Sequence, residues 1–414
     1  MKFVHCADIH LGSWSEQKMR EVSSTCFSYV VSFALDQAVD FFLIAGDLFN
    51  TAMPSIDSLR FVVKELVRLK KGDIPVYVVP GSHDFSPTGK SMIDVLEEAG
   101  LLTNVFRGRV SEGKLQLRFT VDKKTGAKLV GIIGKKGQLD RSYYEHLERD
   151  SLESEQGFKI FLFHTAITEL KPTFLSEMAS HPLSLLPRHF DYYAGGHVHV
   201  ITDVAGELTR FADQGYPNIV FPGPVFPVSF SEIEKLKQGS FFYYNNGAVE
   251  QKTIPFHDSA SFVIDCDGIS SDEVLPRMLE VLEKEDVAEK IVTVRLFGTI
   301  SHGRLADIDY SRLFSSLYKR GAYFVMKNTR KLRSPEFVEV HVDEANVEDI
   351  EDALIAEHKE QLTLPGIEDI GQVIKDLMHV LGTEKQEDEK VMDYDQQVLV
   401  QTNDYFSKRQ KKEF

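Results

Sequence analysis

The chain of 414 residues contains little cysteine and no long apolar run. Its three cysteines are odd in number and far apart, at Cys6, Cys26 and Cys266, which excludes a disulfide-based scaffold and predicts reduced, buried thiols. No apolar run approaches the length of a membrane span. No secretory signal precedes the first strand-like segment, so we expect a cytoplasmic protein without membrane contact.

The formal charge of −16 argues at first against a nucleic-acid partner. This acidity is concentrated, because residues 343–404 carry a balance of −14, residues 405–414 carry +3, and residues 1–342 only −5. A nearly balanced body can still present a basic face. Its most basic region runs from Arg107 to Lys136, where an ordinary solvated hairpin is an equally good interpretation.

Short apolar runs alternate with segments of helical periodicity in the first part of the chain. The run Phe41–Ala45 is unbroken, which is typical of a strand buried on both faces. The spacing of apolar residues predicts amphipathic helices over residues 15–36 and 54–71, with Pro54 in the first turn of the second. This alternation indicates βαβ units and a largely parallel sheet. Later runs at 218–221, 241–245 and 249–254 are expected to close a second sheet.

Aspartate and histidine side chains follow these strands at their carboxyl ends, where open α/β sheets bind ligands. In extended backbone, residues two positions apart point the same way, which pairs Asp8 with His10 and His197 with His199. A carboxylate at Asp47 can bridge two metal ions, or it can cap the following helix. Seven such residues fall at strand ends: Asp8, His10, Asp47, His83, His164, His197 and His199. Carboxylates and imidazoles that converge are common metal ligands.

The motifs occur in a fixed order: Asp8-Ile9-His10, Gly46-Asp47, Gly81-Ser82-His83-Asp84, His164 and Gly196-His197-Val198-His199. This order resembles that of the calcineurin-like metallophosphoesterases. Within that superfamily the chain most resembles the archaeal branch of the DNA double-strand-break repair nucleases of the meiotic-recombination/SbcD type. The opening KFVHCADIHLG, the phrase GDLF and the Pro222-Gly223 turn support this resemblance. Its motifs are specific only in about the first 225 residues.

The resemblance implies a site for two Mn²⁺ ions per chain, although Mg²⁺ or another divalent ion is possible. The first ion would be held by Asp8, His10 and His199, the second by Ser82, His164 and His197, and Asp47 would bridge them. His83 resembles the family's catalytic histidine, which orients the phosphate or protonates the leaving 3′ oxygen. We expect Asp84 either to orient His83 or to cap a helix.

Two positions depart from the family pattern. The family usually has Asn where this chain has Ser82, and a serine hydroxyl is a shorter and weaker ligand. It would bind the second ion directly, bind it through a water, or leave that site loose. Many relatives also have a second histidine that contacts phosphate where this chain has Asn50. Asn50 can donate a hydrogen bond to a substrate but cannot carry a proton.

Three domains are expected within an α/β fold class, a calcineurin-like β-sandwich flanked by helices with two additions. Residues 1–258 would form the metallophosphoesterase domain and residues 259–342 a smaller α+β capping domain that contacts DNA. Residues 343–414 would form an acidic helical tail, with apolar residues at helical spacing from Ile350 to His358 and from Ile370 to Leu381. The basic residues Lys327, Arg330 and Lys331 are expected to bind DNA.

By resemblance, the chain would be a two-metal-dependent DNA nuclease that processes DNA ends in double-strand-break repair. It would act as a duplex 3′–5′ exonuclease and a single-strand endonuclease, as a homodimer in the nucleoid. The tail would dock onto an SMC-like coiled-coil ATPase. The alternatives are a metallophosphodiesterase with a substrate other than DNA, and a DNA-end-binding scaffold with weak nuclease activity. A protein phosphatase is disfavoured, because such members carry GDxxDRG and GNHE where this chain has GDLFNTA and GSHD.

Overall fold

The structure is a computed structural model that describes residues 1–86 and 91–334, and residues 355, 370–381, 399–400 and 402 of the C-terminal segment. It contains two compact units. The larger unit consists of residues 1–265, 275–297 and 309–331. The smaller unit consists of residues 266–274, 298–308 and 332–414.

Six strands of the larger unit form the first sheet: β1 (Lys2–Cys6), β2 (Phe41–Ala45), β3 (Val76–Val79), β4 (Thr103–Asn104), β12 (Ser240–Asn245) and β13 (Ala248–Thr253). They lie in the order β13-β12-β1-β2-β3-β4, and β1 to β4 are parallel. β12 is antiparallel to both β1 and β13. The prediction that 241–245 and 249–254 belong to a second sheet is therefore wrong, because periodicity identifies a strand but not its partner.

Five strands form the second sheet: β7 (Thr120–Val121), β8 (Lys128–Ile132), β9 (Lys159–His164), β10 (Tyr192–Gly196) and β11 (Ile219–Val220). They lie in the order β11-β10-β9-β8-β7, with only β7 antiparallel to its neighbour. A separate hairpin pairs β5 (Gly108–Ser111) with β6 (Lys114–Leu117). The basic region from Arg107 to Lys136 lies in this hairpin, in β7 and β8, and in the segment after β8.

The two sheets pack face to face around a core of alternating residues. Phe41 and Leu43 of β2 share this core with Leu162 of β9. Phe42 and Ile44, on the opposite face of β2, pack against helices. β2 is therefore buried on both faces, which confirms the prediction from its unbroken apolar run.

Helices cover the outer faces of both sheets. α1 (Gln17–Asp36), α2 (Ile56–Lys71), α3 (Met92–Glu98) and α6 (Phe230–Leu236) pack on the first sheet. α4 (Arg141–Glu145) and α5 (Asp150–Ser154) pack on the second. The predicted start of α2 at Pro54 is wrong by two residues, because Ser55 is its N-cap and accepts the N–H of Ser58 at 3.1 Å. The fold is thus the expected α/β sandwich flanked by helices.

A third sheet of three strands contains β14 (Ser259–Asp265), β15 (Ile291–Thr299) and β16 (Phe324–Arg333), with α7 (Ser271–Glu283) and α8 (Tyr310–Lys319) between them in sequence. The predicted DNA contacts Lys327, Arg330 and Lys331 lie on β16. Arg295 of β15 forms an ion pair with Glu234 of α6 at 2.5 Å. The domain boundary after residue 258 stays a prediction.

Most of the predicted tail, residues 343–414, lies outside the described residues, and so does the predicted helix at Ile350–His358 except for residue 355. The described part contains α9 (Ile370–Leu381), which confirms the helix predicted there. Val373 of α9 is buried, whereas Met378 is 41% exposed. Across the described residues, every helix is too short or too polar to cross a bilayer.

Candidate metal centre

The carboxyl ends of β1, β2, β3, β9 and β10 meet at one edge of the sandwich and bring the predicted ligands together. Three overlapping groups offer ligand atoms within 4.8 Å of one another. They are Asp8 with His10 and His199, His10 with Asp47 and His83, and Asp8 with Asp47 and His164. Two carboxylates and several imidazoles form a donor set that suits Mn²⁺ and similar divalent ions.

Asp47 lies where these groups meet. Its Oδ2 is 3.1 Å from His164 Nε2 and 3.5 Å from both His10 Nε2 and Ser82 Oγ. Its Oδ1 accepts the backbone N–H of His83 at 2.7 Å. The interpretation of Asp47 as a helix cap is wrong, because α2 has its own N-cap residue. That Asp47 bridges two ions stays a prediction.

Asp8 organises the other side of the centre. Its Oδ1 is 3.6 Å from His199 Nε2, which lies 3.2 Å from His10 Nε2. Both oxygens of Asp8 accept the backbone N–H of His197, at 3.0 and 3.1 Å. The side chain of His197 lies outside the three groups, and its ring centroid is 5.1 Å from that of His164.

The glycines of the motifs allow backbones to approach the ligands closely. A Cβ on Gly46 would lie 2.1 Å from His164 Nδ1, and Gly46 has a φ of +89°. A Cβ on Gly196 would lie 2.0 Å from the carbonyl oxygen of Ala45. Neither position can accept a side chain without displacing His164 or the end of β2.

Four predicted ligands have left-handed backbone conformations. Their φ angles are 51° at Asp8, 46° at His10, 52° at Asp47 and 86° at His197. Such conformations cost free energy at non-glycine residues and persist only where the surrounding structure holds them. The ligand loops are thus fixed by packing at the sheet edge and not by local preference.

Hydrogen bonds to the far side of each imidazole orient its free nitrogen. His164 Nδ1 donates to the carbonyl of Ala45 at 2.8 Å, and His199 Nδ1 donates to Glu232 Oε1 at 3.0 Å. Both Nε2 atoms therefore face the centre. Glu232 was not among the residues predicted for the site. The Ser229-x-x-Glu232 spacing is a capping-box signal that locates the start of α6, but it does not reveal the contact with His199.

His83 borders the centre, and one of its ring nitrogens lies within 4.8 Å of ligand atoms of His10 and Asp47. Its Nδ1 donates to the backbone carbonyl of Asn50 at 2.7 Å, and its ring meets that of His10 edge-on at 4.8 Å. Nε2 is therefore the nitrogen that remains for a substrate or an ion. The role of the Asn50 side chain as a substrate contact stays a prediction.

Asp84 neither caps a helix nor acts on the ring of His83. Its carboxylate accepts the backbone N–H groups of Leu48, Phe49 and Gly81 at 3.2, 3.0 and 3.0 Å. It therefore ties the loop after β2 to the loop after β3. Burial, together with the charge of Asp47, raises the pKa of Asp84 to about 7.

The carboxylates divide the histidines into two charge states. Burial opposes protonation of His164 and His199, but Asp47 raises the pKa of His164 to about 9 and Asp8 raises that of His199 to about 10. Burial lowers the pKa of His10 and of His197 to about 4. At neutral pH without an ion, two imidazoles are therefore cationic and two are neutral.

Metal binding is expected to release protons. His164 and His199 carry protons below pH 9 and 10, respectively, and must lose them to become ligands, so about two protons should leave at pH 7. The apparent affinity for Mn²⁺ should consequently rise as the pH rises from 6 to 9. Calorimetric titrations in buffers of different ionisation enthalpy measure this release directly. A binding enthalpy that is independent of the buffer would contradict the prediction.

The Ser82→Asn substitution is expected to tighten the second metal site about tenfold, because a side-chain carbonyl reaches further and is a better ligand than a hydroxyl. Ser82 is only 5% exposed, and its Oγ lies 3.5 Å from Asp47 Oδ2, so it faces the centre. Calorimetric titration with Mn²⁺ would measure the weaker of two binding events. A fall in affinity would instead mean that the loop is built around serine.

The predicted DNA contacts lie away from these ligands in the chain. Lys327, Arg330 and Lys331 are exposed on β16, and the ammonium of Lys327 lies 3.8 Å from the ring centroid of Tyr310. Their contact with DNA stays a prediction.

Comparison with known proteins shows which family the chain resembles. The calcineurin-like phosphoesterase family matches residues 1–201, which include every predicted ligand. The DNA double-strand break repair protein Mre11 of Archaeoglobus fulgidus is 27% identical over 82% of this chain and 76% of its own. Mre11 of Thermoplasma acidophilum is 24% identical over 83% of this chain and 87% of its own length. The uncharacterized metallophosphoesterase YhaO of Bacillus subtilis is 25% identical over 54% of this chain and 52% of its own length. The chain therefore contains a calcineurin-like metallophosphoesterase domain, the domain of a metal-dependent hydrolase.

Proposed function

We propose that this protein is a two-metal-dependent DNA nuclease that processes DNA ends in double-strand-break repair. The observation that carries the proposal is the position of Asp47, whose Oδ2 lies within 3.5 Å of His10, His164 and Ser82. The similarity to archaeal proteins named for double-strand break repair supports the choice of DNA as substrate.

Two bound ions would polarise a phosphodiester and supply a hydroxide nucleophile. Asp8, His10 and His199 would hold one ion, Ser82, His164 and His197 the other, and Asp47 both. His83 would orient the phosphate or protonate the leaving 3′ oxygen, since the Asn50 carbonyl fixes its Nδ1 and leaves Nε2 free. Glu232 would keep the His199 ring in its ligating orientation.

The finer activity is a duplex 3′–5′ exonuclease and a single-strand endonuclease that use Mn²⁺. Lys327, Arg330 and Lys331, exposed on β16, would contact the DNA backbone. Two other functions remain as alternatives. A non-DNA phosphodiesterase would use the same centre, and a DNA-end-binding scaffold is favoured by Ser82 and Asn50, the two departures from the family pattern.

One experiment separates these functions. Hydrolysis of a linear duplex and of a chromogenic phosphodiester would be measured with and without Mn²⁺, beside binding of the duplex. The proposal requires metal-dependent degradation of the duplex. Cleavage of the chromogenic ester alone would identify a non-DNA phosphodiesterase, and duplex binding without degradation would identify a scaffold.

A homodimer would form through the apolar surface at the start of α2. Ile56 is 78% exposed and Met53 is 72% exposed, with Leu59 and Val63 half-buried nearby in sequence. An exposed apolar cluster of this kind on a phosphoesterase domain is typical of a protein interface. Sedimentation of the full chain would report a dimer, and Ile56→Glu would shift it to a monomer.

The tail would bind an SMC-like coiled-coil ATPase. Of α9, Val373 is buried but Met378 is exposed, and further along the chain Leu399 and Val400 are 62% and 54% exposed. Apolar residues on an acidic segment suit docking in a groove of a basic partner.

Removal of the tail is expected to separate nuclease activity from assembly. A chain that ends at Val342 should keep metal-dependent activity on short substrates, because all predicted ligands lie before residue 200. It should lose stable association with the ATPase. Gel filtration of the shortened chain with that ATPase measures this, and co-elution at the affinity of the full chain would show that the tail is not the docking element.

A further inference from the structure

A lysine lies at the carboxyl end of β8, on the same edge of the sandwich as the metal centre. Gly134 directly precedes it, and the N–H of Gly134 donates to the carbonyl of Pro80 at 2.9 Å. A Cβ on Gly134 would lie 2.5 Å from His164 Cδ2, so this segment packs directly against a predicted metal ligand. Lys135 therefore directly follows a residue that packs against His164 and the end of β3.

The ammonium of Lys135 is held between aromatic rings and not by a carboxylate. It lies 5.0 Å from the ring centroid of Phe85 and 4.5 Å from that of Tyr143, and it donates to the Tyr143 hydroxyl at 2.8 Å. Within the described part of the chain it forms no ion pair. Two of its three N–H groups are left to donate, and so is the Tyr143 hydroxyl hydrogen.

The buried carboxylate of Asp140 has partners other than the Lys135 ammonium. Asp140 is 3% exposed, and its Oδ1 accepts the backbone N–H of Lys135 at 3.3 Å. Its Oδ2 lies 3.1 Å from Nε2 of the buried His181, and its backbone carbonyl accepts the N–H of Tyr143 at 2.9 Å. Asp140 thus holds the backbone of both Lys135 and Tyr143.

We infer that Lys135 and Tyr143 form a phosphate-binding pair beside the metal centre, with the Lys135 ammonium and the Tyr143 hydroxyl both donating to one phosphate group of the substrate. A half-buried ammonium group without an ion-pair partner attracts an anion. The rings of Phe85 and Tyr143 exclude water from the sides of the ammonium that they cover. The inference rests on the proposed phosphodiester chemistry and adds a contact made by neither metal ligands nor His83.

The test compares Lys135→Met with Lys136→Met in the Mn²⁺-loaded full chain. Lys136 is the next residue and is exposed, so it serves as the matched control. Calorimetry would measure the affinity for inorganic phosphate, and anisotropy the affinity for a short phosphorothioate duplex over a range of salt concentrations. Lys135→Met should weaken binding about tenfold and lower the salt dependence of duplex binding by about one ion, whereas Lys136→Met should change neither.

The variant Tyr143→Phe keeps the ring and removes only the hydroxyl, so it tests the pair even where loss of Lys135 disturbs folding. It should weaken phosphate binding about threefold with an unchanged melting temperature. Weaker binding of duplex and inorganic phosphate would place the contact on the cleaved phosphate, and weaker duplex binding alone would place it on a neighbouring one. Equal affinities in Lys135→Met, Tyr143→Phe and the unmodified chain would overturn the inference. The inorganic-phosphate measurement keeps its meaning even where DNA is not the substrate.

Discussion

Asp47→Ala should abolish metal-dependent phosphodiester hydrolysis, with a fall in kcat of at least about a thousandfold, or about 4 kcal/mol of transition-state stabilisation. The oxygens of Asp47 face His10, His164, Ser82 and the backbone of His83. Its loss would remove the group shared by both ions. The fold should persist, because Asp47 lies past the end of β2 and outside the hydrophobic core.

The measurement is Mn²⁺-dependent hydrolysis of linear duplex, with metal content determined on the same samples. Asp57→Ala is a suitable control, because Asp57 is an exposed carboxylate in the first turn of α2. Wild-type activity in Asp47→Ala would refute the two-metal interpretation. The corresponding His199→Ala variant should also lose activity, since its Nε2 lies 3.6 Å from Asp8 and 3.2 Å from His10.

His83→Ala should reduce turnover by roughly a hundredfold to ten-thousandfold while metal occupancy is retained, as expected for a general acid or a phosphate-orienting group. The Asn50 carbonyl holds Nδ1 of His83 at 2.7 Å, so only Nε2 can act. Single-turnover hydrolysis of duplex together with metal analysis would measure both properties. The exposed His146 provides the control, because its removal leaves the centre intact.

A different result would reassign His83. One of its nitrogens lies within 4.8 Å of ligand atoms of His10 and Asp47, so this residue is also within reach of an ion. Loss of bound metal in His83→Ala, in parallel with loss of turnover, would make His83 a ligand. Retained turnover would exclude both roles.

The sequence was most informative where structure is local. The unbroken apolar run of β2 and the aspartate after it predicted a central strand that ends at the site, because burial on both faces leaves a direct mark on composition. The place of β12 could not be predicted in the same way. Its pairing with β1 joins residues more than two hundred positions apart, and no local pattern encodes the partner of a strand.

The contacts that support the metal ligands could not be predicted from the sequence for a related reason. Glu232 reads as an ordinary helix-capping residue, and Asp84 was expected to orient His83 or to cap a helix. Both expectations missed the actual contacts, because each residue acts on a group that only folding brings near. Lys135 stood within a basic run that a solvated hairpin explains equally well. The contact of the preceding Gly134 with His164, and that of Lys135 with Phe85, became visible only with the two sheets assembled.

A metal ion bound at this centre would connect loops that follow strands of both sheets. Asp8 and His197 lie 189 positions apart, yet one hydrogen-bonds the other beside the centre. An ion held by loops from both sheets would act as a cross-link across that distance, in a chain whose cysteines are all free. At a hundredfold excess over its dissociation constant, such an ion would add about 2.7 kcal/mol to the free energy of unfolding. Chelation should therefore lower the melting temperature of the whole sandwich, and metal supply would govern how long the folded chain survives.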